Sequence, residues 1–238
     1  MLTRPRAVCD VSGGFDSAMA LYELLHEGWE VRGLFVGYGQ EYQAEERDAA
    51  CYVAEWASER YDGQWLGLTE RSITLELSMP SQEGTPIECV PQRNLIICAL
   101  GANLAQHIGA GTVVNGSKTG VRRPDDPYSF ADSCEEFYAD LSNLVAHASE
   151  SGTCIPQFQQ RLRRPSSVST SAEPPTKQRI LAALHAGGLD LRRLWNCYHP
   201  VGQPGRPCGS CYHCSLTRKA LDDAELLDVD AYAEWWSK

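Results

Sequence analysis

This sequence has no apolar run approaching the ~20 residues that a bilayer-spanning helix needs; its 43% of hydrophobic residues are interrupted throughout by polar positions. It has no excess of basic charge. Lys and Arg number 21 against 31 Asp and Glu, a formal net charge of −10, which argues against broad nucleic-acid binding. One local basic cluster, Arg161-Leu162-Arg163-Arg164, lies in a Ser/Pro-rich stretch and reads as a solvated loop. The charged opening Met1-Leu2-Thr3-Arg4-Pro5-Arg6 leads into a strand-like run and not into the apolar core of a signal peptide. There is no internal repeat and no long low-complexity tract. These absences leave a soluble, cytoplasmic protein as the expectation, with no membrane partner and nucleic acid disfavoured. At 238 residues, 22% of them charged, the composition is ordinary for one large domain or one domain with a small appendage.

Two common nucleotide loops are also missing. No Gly-Lys-Ser/Thr follows a glycine-rich turn, and no Gly-x-Gly-x-x-Gly follows a first strand. In their place stands Ser12-Gly13-Gly14-Phe15-Asp16-Ser17, between the apolar run Arg6–Val11 and a helical pattern from Ser17 to Glu27 that stops at Gly28. Strand, glycine-rich turn and helix together present backbone N–H groups and a helix N-terminus to an anion. The two glycines let the backbone approach without a Cβ in the way. Ser12 and Ser17 add hydroxyls. Asp16 repels phosphate, so bridging through a cation is its simplest role. The plainer alternative is a Gly-Gly turn with Asp16 or Ser17 as N-cap; the order Ser-Gly-Gly-x-Asp-Ser after a first strand favours a pyrophosphate site. The motif resembles the signature of the N-type ATP pyrophosphatases, the PP-loop enzymes. That resemblance implies splitting of ATP into AMP and pyrophosphate to activate a carbonyl or carboxylate.

Further along, Glu30–Tyr38 reads as a buried parallel strand with a Tyr38-Gly39-Gln40 turn at its C-terminal end. Glu41–Arg60 is helical, and Trp65–Leu68 is a third strand. Residues 71–84 carry no pattern. Val90-Pro91-Gln92-Arg93-Asn94 ends an extended segment at Pro91 and opens a helix through His107, with Leu95, Ile96, Ile97, Leu100, Leu104 and Ile108 turned inward. An arginine at a helix start opposes the macrodipole, a cost that an anionic ligand would offset. Residues 111–117 form the next strand and turn, and Cys134–Ser149 the next helix. Residues 151–175 are irregular, an insertion or a lid. A last helix runs from Thr176-Lys177 to Gly187-Gly188. Alternating strands and helices predict an α/β fold with a doubly wound parallel sheet, residues 1–190, followed by a small C-terminal region, 191–238.

Ten cysteines without a signal peptide do not read as a disulfide framework. Cys9, Cys51 and Cys98 fall in apolar patterns and behave as small hydrophobes. Cys197, Cys208, Cys211 and Cys214 form C-x10-C-x2-C-x2-C, which suits a closed, structural tetrahedral Zn2+ site. His199 and His213 are alternative ligands, and an iron–sulfur cluster uses the same four thiolates.

The PP-loop, Val90-Pro91-x-Arg93-Asn94 and the cysteine cluster together resemble the 7-cyano-7-deazaguanine synthases, the QueC family, from Arg6 to about Leu221. The resemblance implies a PP-loop α/β enzyme, often homodimeric, with a structural zinc. It turns 7-carboxy-7-deazaguanine, ammonia and ATP into a nitrile through an acyl-adenylate and an amide. It implies that Ser12, Gly13, Gly14, Phe15, Asp16 and Ser17 hold pyrophosphate, with Asp16 linked to Mg2+. Tyr38, Gln40, Arg93, Asn94 and Gly116 complete the ATP site. The resemblance also implies Asp16, Arg93 and Lys177 as the catalytic set. Gln92, Phe130, Asp132 and Ser133 fall near the deazaguanine pocket, where the chain departs from the family's residues. Those departures leave room for a divergent adenylating enzyme that stops at the amide or joins the acyl group to a protein amine, an arrangement associated with anti-phage defence. A PP-loop tRNA-modifying enzyme and a non-catalytic nucleotide-binding module are further alternatives.

Overall fold

The computed structural model describes residues 4–76, 90–117, 131–150, 153–160, 176–198 and 205–226. Within them five parallel strands form one sheet: β1 (Arg6–Asp10), β2 (Glu30–Gly37), β3 (Trp65–Ser72), β4 (Thr112–Asn115) and β5 (Gln157–Gln160), in the order β3-β2-β1-β4-β5. β1 is central, with Ala7 opposite both Val31 and Thr112, and Cys9 opposite both Gly33 and Val114. Six α-helices accompany the sheet: α1 (Phe15–His26), α2 (Gln43–Arg60), α3 (Arg93–Ile108), α4 (Glu135–Ala148), α5 (Lys177–Ala186) and α6 (Tyr212–Asp223).

The pleat decides which helices cover which face, because successive side chains on a strand point to opposite sides. Ala7, Cys9, Val31, Phe35 and Val114 join a core with α1, α2, α5 and α6. Val8, Leu34, Val36 and Val113 join a second core with α3 and α4. The sheet is thus covered on both faces, the doubly wound arrangement expected from the alternation of elements. The chain runs outward from β1 through β2 to β3, then crosses to β4 and β5 on the other side. The direction reverses between β1 and β4. In such sheets the crevice outside the strands' carboxyl ends at that point is where ligands collect.

Three expectations are corrected. α3 buries Ile97 and Leu104 of the aliphatic row read from its pattern, but leaves Leu95, Ile96, Leu100 and Ile108 only half-buried. Its sheet-facing side is Asn94, Ile97, Cys98, Gly101, Ala102, Leu104 and Ala105, whereas Leu95, Leu100 and Ile108 are half-buried at the margin. Small residues let the helix lie close to β4. The third strand extends to Ser72, through the polar Thr69-Glu70-Arg71, because an edge strand needs only its ladder with β2 and a little apolar contact. Finally, Gln157–Gln160, inside the stretch taken as irregular, is an edge strand parallel to β4. Its one apolar residue, Phe158, is buried, and its backbone N–H donates to Ser142 Oγ at 3.1 Å.

Described residues beyond 190 join the first core. Leu191 and Leu194, at a short 3-10 turn, and Ala220 and Leu221 of α6 pack with Ile180, Leu181 and Leu184 of α5. A third, smaller cluster joins Tyr42 and Ala49 to Trp195, Cys197 and Cys214.

Candidate active site at the β1/β4 crevice

β1 ends at Asp10, and the loop 12–14 leads into α1, whose N-cap is Gly14 with no side-chain cap. The first turn of a helix leaves backbone donors without intrahelical partners, and here Gly14, Phe15, Asp16 and Ser17 line the cleft. The loop is gripped from three sides. Gly13 has φ of +80°, and a Cβ there would lie 2.6 Å from the Glu46 carbonyl oxygen and 2.7 Å from Ala49 Cβ of α2. A Cβ on Gly116, just past β4, would lie 2.5 Å from Ser17 Cα. The Trp195 N–H donates to the Gly13 carbonyl at 3.0 Å. Only glycine satisfies the first two positions. Ser17 Oγ donates to the Gly14 carbonyl at 3.0 Å and lies 3.1 Å from Ser12 Oγ.

Lys177 reaches the same loop from the start of α5. Thr176 caps that helix, its hydroxyl oxygen accepting from the Arg179 N–H, and this sets Lys177 at the first helical position. Lys177 Nζ donates to Asp16 Oδ1 at 3.2 Å and lies 5.1 Å from the Phe15 ring centroid. A cation and a carboxylate therefore sit side by side at the loop.

The opposite wall is Arg93, the first residue of α3, with Asn94 behind it. Gln92, before it, has φ of +55° and is exposed. Arg93 hydrogen-bonds the Tyr38 side chain. Burial works against its charge, but Tyr198 and Tyr38 outweigh that and raise its pKa. Asn94 is fixed from behind: its side-chain amide donates to the Asp132 carbonyl at 3.1 Å, and its backbone N–H lies 3.4 Å from Asp132 Oδ2.

The cleft brings together Ser12, Gly14, Phe15, Asp16, Ser17, Tyr38, Arg93, Asn94, Gly116 and Lys177. Gly13 backs the loop. Gln40 is buried behind the cleft and does not line it; its side-chain Oε1 accepts from the Tyr38 N–H at 2.8 Å and its Nε2 donates to Glu46 Oε2 at 2.7 Å. Gln92, Asp132 and Ser133 are not among the cleft-lining residues, and Phe130 lies outside the described residues, as do Cys89, His199 and Arg161–Arg164.

Sequence reasoning passed over two acids that line this cleft, Asp10 and Glu46. Asp10 follows Val8 on the pleat and so faces the α3 side, toward Arg93. Burial pushes its carboxyl up to about 7, against the pull of Arg93. Burial likewise pushes Glu46 up to about 7, opposed by the Gln40 hydrogen bond and Arg93 and reinforced by Asp10. An acid closing an otherwise apolar strand just before the loop was the available signal for Asp10. Glu46 was one of several acids at the start of a helix, with nothing to single it out. Tyr198, pushed up to about 12 by burial against the pull of Arg93, completes the group.

The four cysteines of the C-terminal cluster converge: all four Sγ atoms lie within 4.8 Å of one another. Cys208 and Cys214 Sγ are 3.9 Å apart, close to the ~3.8 Å edge of a tetrahedron with metal–sulfur bonds of about 2.3 Å. The backbone N–H of Cys208 points at Cys197 Sγ, that of Cys211 at Cys208 Sγ and that of Cys214 at Cys211 Sγ, at 3.2, 3.2 and 3.4 Å. Such donors favour thiolates over thiols. The donor set fits a closed metal centre. His213 is instead packed against Tyr198, ring centroids 4.4 Å apart. The centre is tied to the loop through Trp195, whose indole N–H donates to the Cys197 carbonyl at 2.8 Å while its backbone N–H holds Gly13.

The sheet order and the Ser-Gly-Gly-x-Asp-Ser loop at its switch point define a parallel α/β protein of the PP-loop type. The family model described as "Queuosine biosynthesis protein QueC" matches residues 6–225, and the chain belongs to that family. It is 30% identical over 242 residues to the 7-cyano-7-deazaguanine synthase of Thiobacillus denitrificans, covering 97% of this chain and 99% of that protein. It is 29% identical over 241 residues to the synthase of Saccharophagus degradans, covering 98% of this chain and all of that protein. Among solved structures, the U34-tRNA thiolase NcsA from Methanococcus maripaludis, with its [4Fe-4S] cluster, matches 99% of this chain and 71% of that chain. Its TM-score is 0.43 at 14% identity, a likeness too distant to transfer fold or ligand.

The two raised carboxyls give a pH signature. The folded protein keeps protons on Asp10 and Glu46 up to about pH 7, whereas the unfolded chain releases them in the ordinary carboxyl range. Unfolding between those limits releases protons, so the stability these groups contribute is full below about pH 4 and is lost as pH rises through about 7. Urea denaturation of the metal-loaded protein is expected to show a falling contribution from pH 5 to pH 7.5 that is flattened in Asp10→Asn/Glu46→Gln; equal slopes in both proteins would refute the burial of these charges.

Proposed function

We propose that this chain is an ATP-dependent carbon–nitrogen ligase that converts 7-carboxy-7-deazaguanine and ammonia to 7-cyano-7-deazaguanine, releasing AMP and pyrophosphate. The observation that carries this reading is the gripped Ser12–Ser17 loop, with Lys177 paired to its Asp16, sharing one cleft with Arg93, in a chain alike over 97–98% of its length to proteins named for that synthesis.

The residues suit the steps. Backbone donors of loop 12–17, with the Ser12 and Ser17 hydroxyls, hold the phosphates. Tyr38 and Gly116, at the ends of β2 and β4, flank the adenine. Arg93 offers a two-pronged donor to a carboxylate or phosphate. A carboxylate oxygen of the acid attacks the α-phosphorus, and the bond to the pyrophosphate oxygen breaks. Lys177 steadies the departing charge. Ammonia then attacks the acyl carbon, the bond to AMP breaks and a proton leaves, giving the amide. The amide oxygen attacks the α-phosphorus of a second ATP, releasing pyrophosphate and one amide proton; breaking the carbon–oxygen bond to AMP and losing the second proton then leaves the nitrile. Asp16 would hold Mg2+, which neutralises phosphate charge when bound. Cys197, Cys208, Cys211 and Cys214 would hold Zn2+, whose role with no open position is structural. Gln92, Asp132 and Ser133 stand as base-side candidates through the α3 start they flank. A homodimer in the cytoplasm is part of the same reading.

The chemistry is read by mass spectrometry of a reaction with 7-carboxy-7-deazaguanine, ammonium and ATP. The nitrile and AMP are expected. AMP with amide alone, or acyl transfer to a protein amine, would replace the synthase with the divergent ligase, and no ATP consumption would leave a binding module. Asp16→Ala is expected to lower AMP formation by at least a hundredfold with an unchanged circular dichroism spectrum; near-normal turnover removes Asp16 from the mechanism. Metal analysis is expected to give one zinc per chain, and Cys211→Ser to lose the metal, lower the melting temperature and weaken ATP binding through Trp195 and Gly13. Iron, or folded protein with no metal, would overturn the zinc centre.

A further inference from the structure

Arg93 faces more negative charge than it can balance. Asp10 approaches from the end of β1, held by the Asn115 amide at 3.5 Å, and Glu46 from α2, held by the Gln40 amide at 2.7 Å. Both line the same cleft as Arg93, and both interact with its charge. Among the described residues, the other ionisable groups near them begin with Asp132, whose Oδ2 lies 3.4 Å from the Asn94 N–H and which does not line the cleft. Tyr38, at the end of β2, and Tyr198, in the segment before α6, remain neutral near pH 7, their pKa values raised by burial. Tyr42 and Cys98 are pushed up by burial as well. Asp16 and Lys177 form their own ion pair at the loop, and His213 packs on Tyr198. Among the described cleft-lining residues, two carboxyls against one guanidinium leave a surplus of one negative charge in a poorly solvated site, unless one proton is shared between the two acids.

We propose that Asp10 and Glu46 are positioning residues for Arg93 that couple capture of an anionic ligand in this cleft to uptake of a proton. In the ligand-free protein the acids share one proton on average and act as counter-ions that hold the guanidinium at the cleft wall. When a phosphate or carboxylate meets Arg93, the guanidinium's charge is engaged by the ligand. The second acid then faces an added negative charge with less compensation, and it takes a proton from solvent. The balance is one ligand anion and up to one proton bound per chain. Asp10 and Glu46 need not touch the ligand; they act through Arg93.

This rests on the reading that the cleft takes ATP on the Arg93 side, and the test separates the two. Magnesium ATP, with Mg2+ in excess so that the nucleotide itself does not titrate near neutrality, is added to the holoprotein without the acid or ammonium. Isothermal titration calorimetry in two buffers of different ionisation enthalpy counts the protons exchanged. Since both carboxyls titrate at about 7, the expected uptake at pH 7 approaches about one proton per chain, falling toward zero at pH 5.5, where both acids already carry protons. Asp10→Asn/Glu46→Gln is expected to bind with no uptake, and each single variant with roughly half. If the double variant does not fold, the wild-type pH profile and the single variants carry the test. ATP binding with no uptake at pH 7, or wild-type uptake in the folded double variant, overturns the coupling and leaves the nucleotide reading intact. Absence of ATP binding overturns the nucleotide reading and the coupling with it.

Discussion

Everything at the cleft depends on close backbone contact at loop 12–17. Gly13 lies on the backbone of α2 and Gly116 on the backbone of Ser17, each at a distance that leaves no room for a Cβ. These contacts tie together the end of β1, the start of α1, the first turns of α2 and the end of β4 at the point where the sheet's winding reverses. A loop held from behind by backbone keeps its shape, with the Ser12 and Ser17 hydroxyls fixed against each other and the Gly14 carbonyl. That preorganisation is what a phosphate site requires.

The charges are arranged around this frame in two sets. At the loop, Asp16 and Lys177 pair with each other and are partly open to solvent, so a cation or a phosphate can compete for either. Across the cleft, Arg93 is enclosed by Asp10, Glu46, Tyr38 and Tyr198, where charge is costly and protonation states respond to what binds. The cysteine centre touches both sets. Trp195 connects it to Gly13, and Tyr198, one residue past Cys197, packs edge-on against Tyr42 with the ring centroids 5.1 Å apart. A metal held by the four cysteines would thereby stiffen the cleft wall as well as α6.

The central strands, the loop and every α-helix but the last were legible in the sequence because their signals are local. Val8, Leu34 and Val113 sit in apolar runs, Gly28 and Gly109 stop helices, and Ser-Gly-Gly-x-Asp-Ser marks one backbone shape. The sheet's edges were not. Thr69–Ser72 and Gln157–Gln160 are polar segments held by ladder pairing with a neighbour strand, and pairing leaves no periodicity in the edge strand itself. The inward side of α3 was read correctly at Ile97 and Leu104 and misjudged elsewhere, because close helix–sheet approach selects Gly101, Ala102 and Ala105 over the bulkier Leu95 and Leu100. Asp10 and Glu46 escaped for a different reason: what distinguishes them is convergence on Arg93 from β1 and α2, a tertiary fact. Gln40 was read as a ligand contact, and its placement behind the cleft shows a spacer between Tyr38 and Glu46.

The proposed function turns on one chemical event, transfer of adenylate from ATP to a carboxylate. Exchange of labelled pyrophosphate into ATP reports that event alone, before any nitrogen enters. With 7-carboxy-7-deazaguanine and Mg2+ present and ammonium withheld, the account predicts exchange that depends on the acid and is lost in Asp16→Ala. Release of ADP and phosphate, or no acid-dependent exchange by folded, metal-loaded protein, would contradict it.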